Sequence, residues 1–234
     1  MNLSKLENKT YEIMKESNLV VFKVSDIEKL LEVNKQKAYN IIKSLKKKGA
    51  IISVGKGKFT LYGTNEFEIA SELNFPSYIS FWTALNYYGF SDNTPKKIFI
   101  ATTKYSKEIK NFKFVTLSKK KFFGYTSIGK ITIAEKEKSI IDSLLFPKYS
   151  GGIKEIKTSL EKAVEEIEIK KLIDFAIKTD SKAVIRRLGF LLEKLKIKYP
   201  KKIEKLIGKG YELLDPSLEK KNNLNKKWLL DINI

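Results

Sequence analysis

Apolar residues fall at helical spacing three times before residue 50, then at strand spacing twice. Leu3, Leu6, Thr10, Ile13 and Met14 predict a first helix over about Leu3 to Ser17, since positions three and four apart share one helix face. Leu19-Val20-Val21-Phe22 is a short β-rich stretch. Ser25-Asp26-Ile27-Glu28 has the form of a capping box, opening a short second helix with Ile27, Leu30 and Leu31 on its apolar side. Asn34 is placed to cap a third helix, about Lys35 to Lys48, in which Ala38, Ile41, Ile42 and Leu45 form one buried stripe. Gly49 ends it, and Ala50–Val54 and Lys58–Tyr62 flank Gly55-Lys56-Gly57 as the arms of a hairpin. Helix, short helix, turn, helix and hairpin in this order predict a winged helix-turn-helix over residues 1–62.

Residues 63–234 switch between the two periods. Helices are expected at Glu66–Leu73 and Ser77–Tyr88, the second largely buried through Ile79, Trp82 and Leu85. Strands follow at Lys97–Thr102 and Phe112–Leu117, then at Phe122–Ile128, which turns through Gly129 into Lys130–Ala134. Glu135–Phe146 is helical, and Gly151-Gly152 reads as a flexible joint that marks a sub-boundary at 150–152. Four more helices are expected at about 153–166, 170–178, 181–197 and 201–207, with strand-like pieces at Tyr211–Leu214 and Trp228–Ile232. The fold class expected is therefore α+β. A winged helix-turn-helix precedes a mixed α+β domain, residues 63–234, with a small antiparallel sheet and a helical C-terminal part.

Composition narrows the chemistry. With 42% apolar residues and 12% aromatics the chain can bury a core, which excludes wholesale disorder. It has no cysteine and no histidine, which removes disulfides, Cys- or His-ligated zinc and imidazole catalysis. MNLSKLENKTYEIMK lacks the apolar core of a signal peptide. No apolar run approaches the ~18 residues of a membrane span. A cytoplasmic protein without membrane contact is expected.

The net charge of +19 points to a polyanionic partner, yet the excess is spread along the chain, so position has to decide. No acid lies between Lys35 and Lys48. Gln36, Asn40, Lys43 and Lys47 occupy the face opposite the buried stripe, with Lys35, Lys37, Tyr39 and Ser44 beside them, and Lys56 and Lys58 sit at the hairpin tip. A merely solvated helix mixes charge signs, whereas one facing phosphates avoids carboxylates. Gln and Asn can pair bidentately with adenine, and Lys reaches guanine or phosphate. Double-stranded DNA is the partner these positions predict, with Ser44 as a flank and the other nine residues as contacts.

Several short segments carry a family resemblance. Pro76-Ser77-Tyr78-Ile79-Ser80-Phe81-Trp82-Thr83-Ala84-Leu85 with Gly89-Phe90 is similar to a "P-x-Y-x-S-x-x-x-A-L…G" segment of AbiEi-type antitoxins. In the family's order there follow Ile131–Ala134 with Lys138-Ser139-Ile140-Ile141-Asp142, then Arg186–Glu193, then Leu214-Asp215-Pro216, then Trp228 with Asn233. Glu135 stands where the family has Asp-Pro. The resemblance implies a non-catalytic transcriptional autorepressor that binds inverted repeats in its own promoter. It also implies an antitoxin that opposes an adjacent nucleotidyltransferase toxin without a stable complex. A winged-helix regulator whose C-terminal domain only senses or dimerises is the alternative.

Among 46 basic residues only Arg186 and Arg187 are arginines, and they are adjacent. Guanidinium offers a planar fork that lysine cannot copy. The pair is expected either to bridge carboxylates such as Asp142 or Asp215 or to form an anion or partner site for the antitoxin role. A magnesium nuclease would need acids clustered on strands. Glu155-Ile156-Lys157 and Glu168-Ile169-Lys170 have nuclease-like spacing but helical patterns. No phosphate-binding glycine loop is present, so neither a catalytic role nor a cofactor is expected. Trp82, Tyr87, Tyr88 and Phe90 read as core at helical spacing rather than as a base-stacking platform.

Overall fold

The computed structural model describes residues 2–234. Its N-terminal quarter is α1 (Lys5–Glu16), α2 (Val24–Leu31), α3 (Lys35–Lys47) and a hairpin of β1 (Ile51–Gly55) and β2 (Lys58–Leu61). Ser4 and Glu7 close α1 with a reciprocal capping box. The second capping site lies earlier than the sequence suggests. α2 begins at Val24, Ser25 falls inside its first turn, and Asp26 accepts from the Lys23 backbone N–H at 2.7 Å. Phe22 forms an isolated antiparallel bridge with Phe59, which ties the β-rich stretch to the two-stranded hairpin. Met14, Phe22, Ile27 and the stripe Ala38, Ile41, Ile42 and Leu45 close a core of their own. This is a winged helix-turn-helix.

The rest is α+β, built on a sheet ordered β5-β6-β4-β3-β8-β7. Its strands are β3 (Ser77–Ile79), β4 (Ile98–Thr102), β5 (Lys107–Ile109), β6 (Phe112–Thr116), β7 (Tyr125–Ile128) and β8 (Ile131–Ala134). It is larger than the small antiparallel sheet expected, and mixed, because β4–β6 and β3–β8 run parallel. Ser77–Tyr88 is not one helix: Ser77–Ile79 joins the sheet between β4 and β8, and only α5 (Phe81–Tyr87) is helical. Pairing on both edges overrides local helical spacing there. Short α4 (Glu66–Glu72) precedes that strand.

Helix α6 (Lys136–Leu145) leaves the sheet and packs among α5, α7 (Gly152–Ala163), α8 (Ile169–Lys178) and α9 (Lys182–Lys194). A 3-10 turn at Lys201–Leu206 leads to a small sheet of β9 (Glu212–Leu213), β10 (Leu224–Asn225) and β11 (Leu230–Asp231). Gly151-Gly152 is no flexible joint. Both residues have positive φ, and a Cβ on Gly152 would lie 2.8 Å from Asp215 Oδ2, which accepts from the Ile153 N–H. One helical core continues across it, from Leu85 and Ile140 to Ile153, Leu160 and Leu188. No helix among the described residues is long and apolar enough to cross a membrane.

Candidate nucleic-acid interface

Helix α3 is held from both ends. The Asn34 side chain accepts from the Lys37 N–H at 2.9 Å, capping the N-terminus as the sequence predicts. At the other end Glu7 of α1 accepts from Ser44 at 2.5 Å and from Lys48 at 2.6 Å. The Lys48 ammonium, aided by the Ser44 hydroxyl and the Ser4 N–H, holds the Glu7 carboxyl down at about 2. Ser44 and Lys48 are thereby committed to folding.

The face left over is exposed along its length: Lys35, Gln36, Lys37, Asn40, Lys43 and Lys47, with Tyr39 beside them at 53% exposure. None of these lysines is paired with a carboxylate among the described residues. The Gln36 amide donates to the Asn40 carbonyl oxygen at 3.3 Å, so the two readers expected from the sequence support each other across one turn. Lys56 is exposed at the hairpin tip. Lys58 departs from this face: its ammonium donates to the Leu73 carbonyl at the end of α4, and partial burial together with nearby Lys107, Lys23 and Lys104 lowers its pKa. The end of β1 explains this, since Gly55 faces Ile109 of β5 and Leu73. Sequence gave no sign of that packing because β5, reading Lys-Glu-Ile, has no apolar alternation.

No family model matches the chain, and no curated protein does. Among solved structures, it is similar to the crystal structure of RV2827C protein from Mycobacterium tuberculosis, with a TM-score of 0.69 and 12% identity over 98% of this chain and 92% of that one. The likeness shows the fold alone.

The segments that carry the sequence resemblance meet as structural nodes. Tyr78 and Ser80 of the first donate to Asp142 of the second at 2.9 and 2.8 Å, and the fully buried Lys138 ammonium pairs with the same carboxylate. Burial, followed by the Asp142 charge, pushes the Tyr78 hydroxyl well above its ordinary pKa. Asp142 is therefore not an arginine partner. Arg186 donates to Ile207 O and Lys209 O at 2.8 and 2.9 Å and meets Glu212 at 3.3 Å. Arg187 forks onto Leu214 O, Leu144 O and Leu213 O, and burial lowers its pKa. Neither arginine bonds Asp215, whose carboxyl is pushed up by burial but held lower overall by Ser217 and the Ile153 N–H. Both arginines are under 5% exposed, so they tie helix to strand and present no partner surface. Of the aromatic set expected in the core, Phe90 alone is buried; Trp82, whose indole N–H donates to Ser91, and Tyr88 are half-buried, and Tyr87 is exposed.

Proposed function

We propose that this protein is a DNA-binding transcriptional repressor acting as the antitoxin of an AbiE-type toxin–antitoxin system, without a catalytic step of its own. One observation carries the DNA-binding half. A capped helix in the second position of a helix-turn-helix carries no acid of its own and presents bases, amides and a tyrosine to solvent, and the Glu7 carboxylate that bonds its last turn is already paired with Lys48. Helix and wing tip offer the charge pattern that a duplex backbone and a major-groove edge would complement. The antitoxin half rests on the sequence resemblance. The reading assigns Lys35, Gln36, Lys37, Tyr39, Asn40, Lys43, Lys47 and Lys56 to DNA, and leaves Lys58 out.

Binding to the DNA upstream of the protein's own reading frame, against random duplex of equal length, tests the first half. A footprint over an inverted repeat is the expected result, and equal affinity for both duplexes would refute a repressor of its own promoter. Co-expression with the product of the adjacent reading frame tests the second. Rescue of growth is expected without co-purification of the two proteins.

A further inference from the structure

A concentration of positive charge lies where the wing meets the sheet. Lys58 opens β2, and each charged neighbour that lowers its pKa is another lysine: Lys107, Lys23 and Lys104. Lys107 and Ile109 share one face of the edge strand β5, with Ile109 against Gly55 of the wing. Glu108, the acid between them, is occupied on the other face by Lys97 at 2.5 Å and Lys113 at 3.8 Å. Lys23, Lys58, Lys104 and Lys107 pair with no carboxylate among the described residues. Beside it opens a cavity of ≈ 620 Å³ lined by Asn74, Thr103, Lys104, Tyr105, Lys107 and Thr116. Asn74 is 4% exposed; its carbonyl oxygen accepts from Lys107 at 2.6 Å, but its amide nitrogen has no partner. Lys104 and Lys107 line this cavity and offer two ammonium groups to a phosphate, with Asn74 fixing Lys107 from beneath.

We infer that this junction is a second backbone contact for duplex DNA, in which phosphates beyond those under the winged helix are held by Lys104 and by Lys107, which Asn74 positions. Lys23, near Lys58, caps the N-terminus of α2, and the first helix of a helix-turn-helix crosses the backbone. The inference rests on the DNA-binding reading and extends it: the region after residue 63 contributes to affinity without reading sequence.

Salt titrations of binding to a random-sequence duplex test it, because counterion release counts phosphate contacts at roughly 0.9 in log–log slope for each. Lys104→Gln with Lys107→Gln should weaken binding and lower the slope by about two, and Lys104→Gln alone by about one. Lys220→Gln with Lys221→Gln removes the same charge from an exposed stretch of the C-terminal region and should change neither. Lys104 makes no side-chain bond among the described residues, so its single variant keeps the test valid if the double variant melts early. If both double variants behave alike while Lys43→Glu abolishes binding, the second contact is refuted and the recognition helix stands. If Lys43→Glu also leaves binding untouched, the DNA-binding reading itself falls, and this inference with it.

Discussion

Asn40 carries two jobs on one amide: its oxygen accepts from Gln36, and its nitrogen remains free to donate. A base contact would use that pre-set orientation, so Asn40→Ala should cost about 1–3 kcal/mol of discrimination between operator and random duplex. Parallel titrations on the two DNAs check this, and equal losses on both would remove Asn40 from base readout. Lys138 and Asp142 pose the opposite problem, two opposite charges with no solvent at all. Phe123 lies 4.8 Å from the Lys138 ammonium and supplies a ring face where water is excluded. Removing one partner strands the other, so Lys138→Met should destabilise the chain by about 3–5 kcal/mol. Adding Asp142→Asn to it should recover much of that loss, since the amide oxygen still accepts from Tyr78 and Ser80 while no buried charge is left. Denaturant unfolding of the single and double variants measures the difference. A double variant less stable than Lys138→Met would show that the carboxylate serves the two hydroxyls more than the lysine.

Elements were legible in the sequence where one face alone decides them. The stripe Ala38, Ile41, Ile42 and Leu45 is buried as its spacing predicts, and Asn34 caps the helix it was placed to cap. β3 was illegible because it pairs along its whole length with β4 and through Ile79 with β8, a fact of the sheet and not of the segment. Gly151-Gly152 misled for a related reason: composition suggested a joint, whereas positive φ and the approach of Asp215 require glycine there. The docking of α1 on α3 gives a further prediction. Glu7 titrates at about 2 in the folded chain, below its ordinary value of 4.5. A depressed carboxyl contributes stability that is present above the ordinary value and fades as pH falls through the folded one. Glu7→Gln should therefore lower the melting temperature most near neutral pH, and the gap to the wild type should close as pH falls from about 5 toward 2. Melting curves of both proteins across that range are the measurement. A constant gap would mean that packing, not charge, ties α1 to α3.

At the scale of the molecule, the winged helix has its own core, yet its Val20 and Val54 pack with Ile69 and Leu73 of the following region. Lys58 reaches Leu73 O, Lys110 reaches Ser53 O, and the Val21 N–H meets Glu72, so the two parts are braced against each other. The polarity pattern showed two cores but not this seam, because Val20 and Val54 look like ordinary members of the first. The arginine pair was legible as special by its rarity, and its role was not, since carbonyl partners 21–43 residues away leave no sequence mark. That role changes what its replacement should do. Lysine keeps the charge of Arg186 and Arg187 but cannot span the two carbonyls of the first or the three of the second, so the double Arg→Lys variant should melt lower and lose DNA binding and toxin neutralisation together. Lys43→Glu with Lys56→Glu sets carboxylates against phosphates on exposed positions, so it should abolish promoter binding, keep the wild-type melting temperature and leave neutralisation intact. A promoter reporter, a growth assay with the adjacent gene product and a thermal melt on each double variant separate the cases. An arginine variant that melts with the wild type yet fails to neutralise would return the pair to a partner site. A charge-reversal variant that loses neutralisation at an unchanged melting temperature would mean that both functions share the basic face.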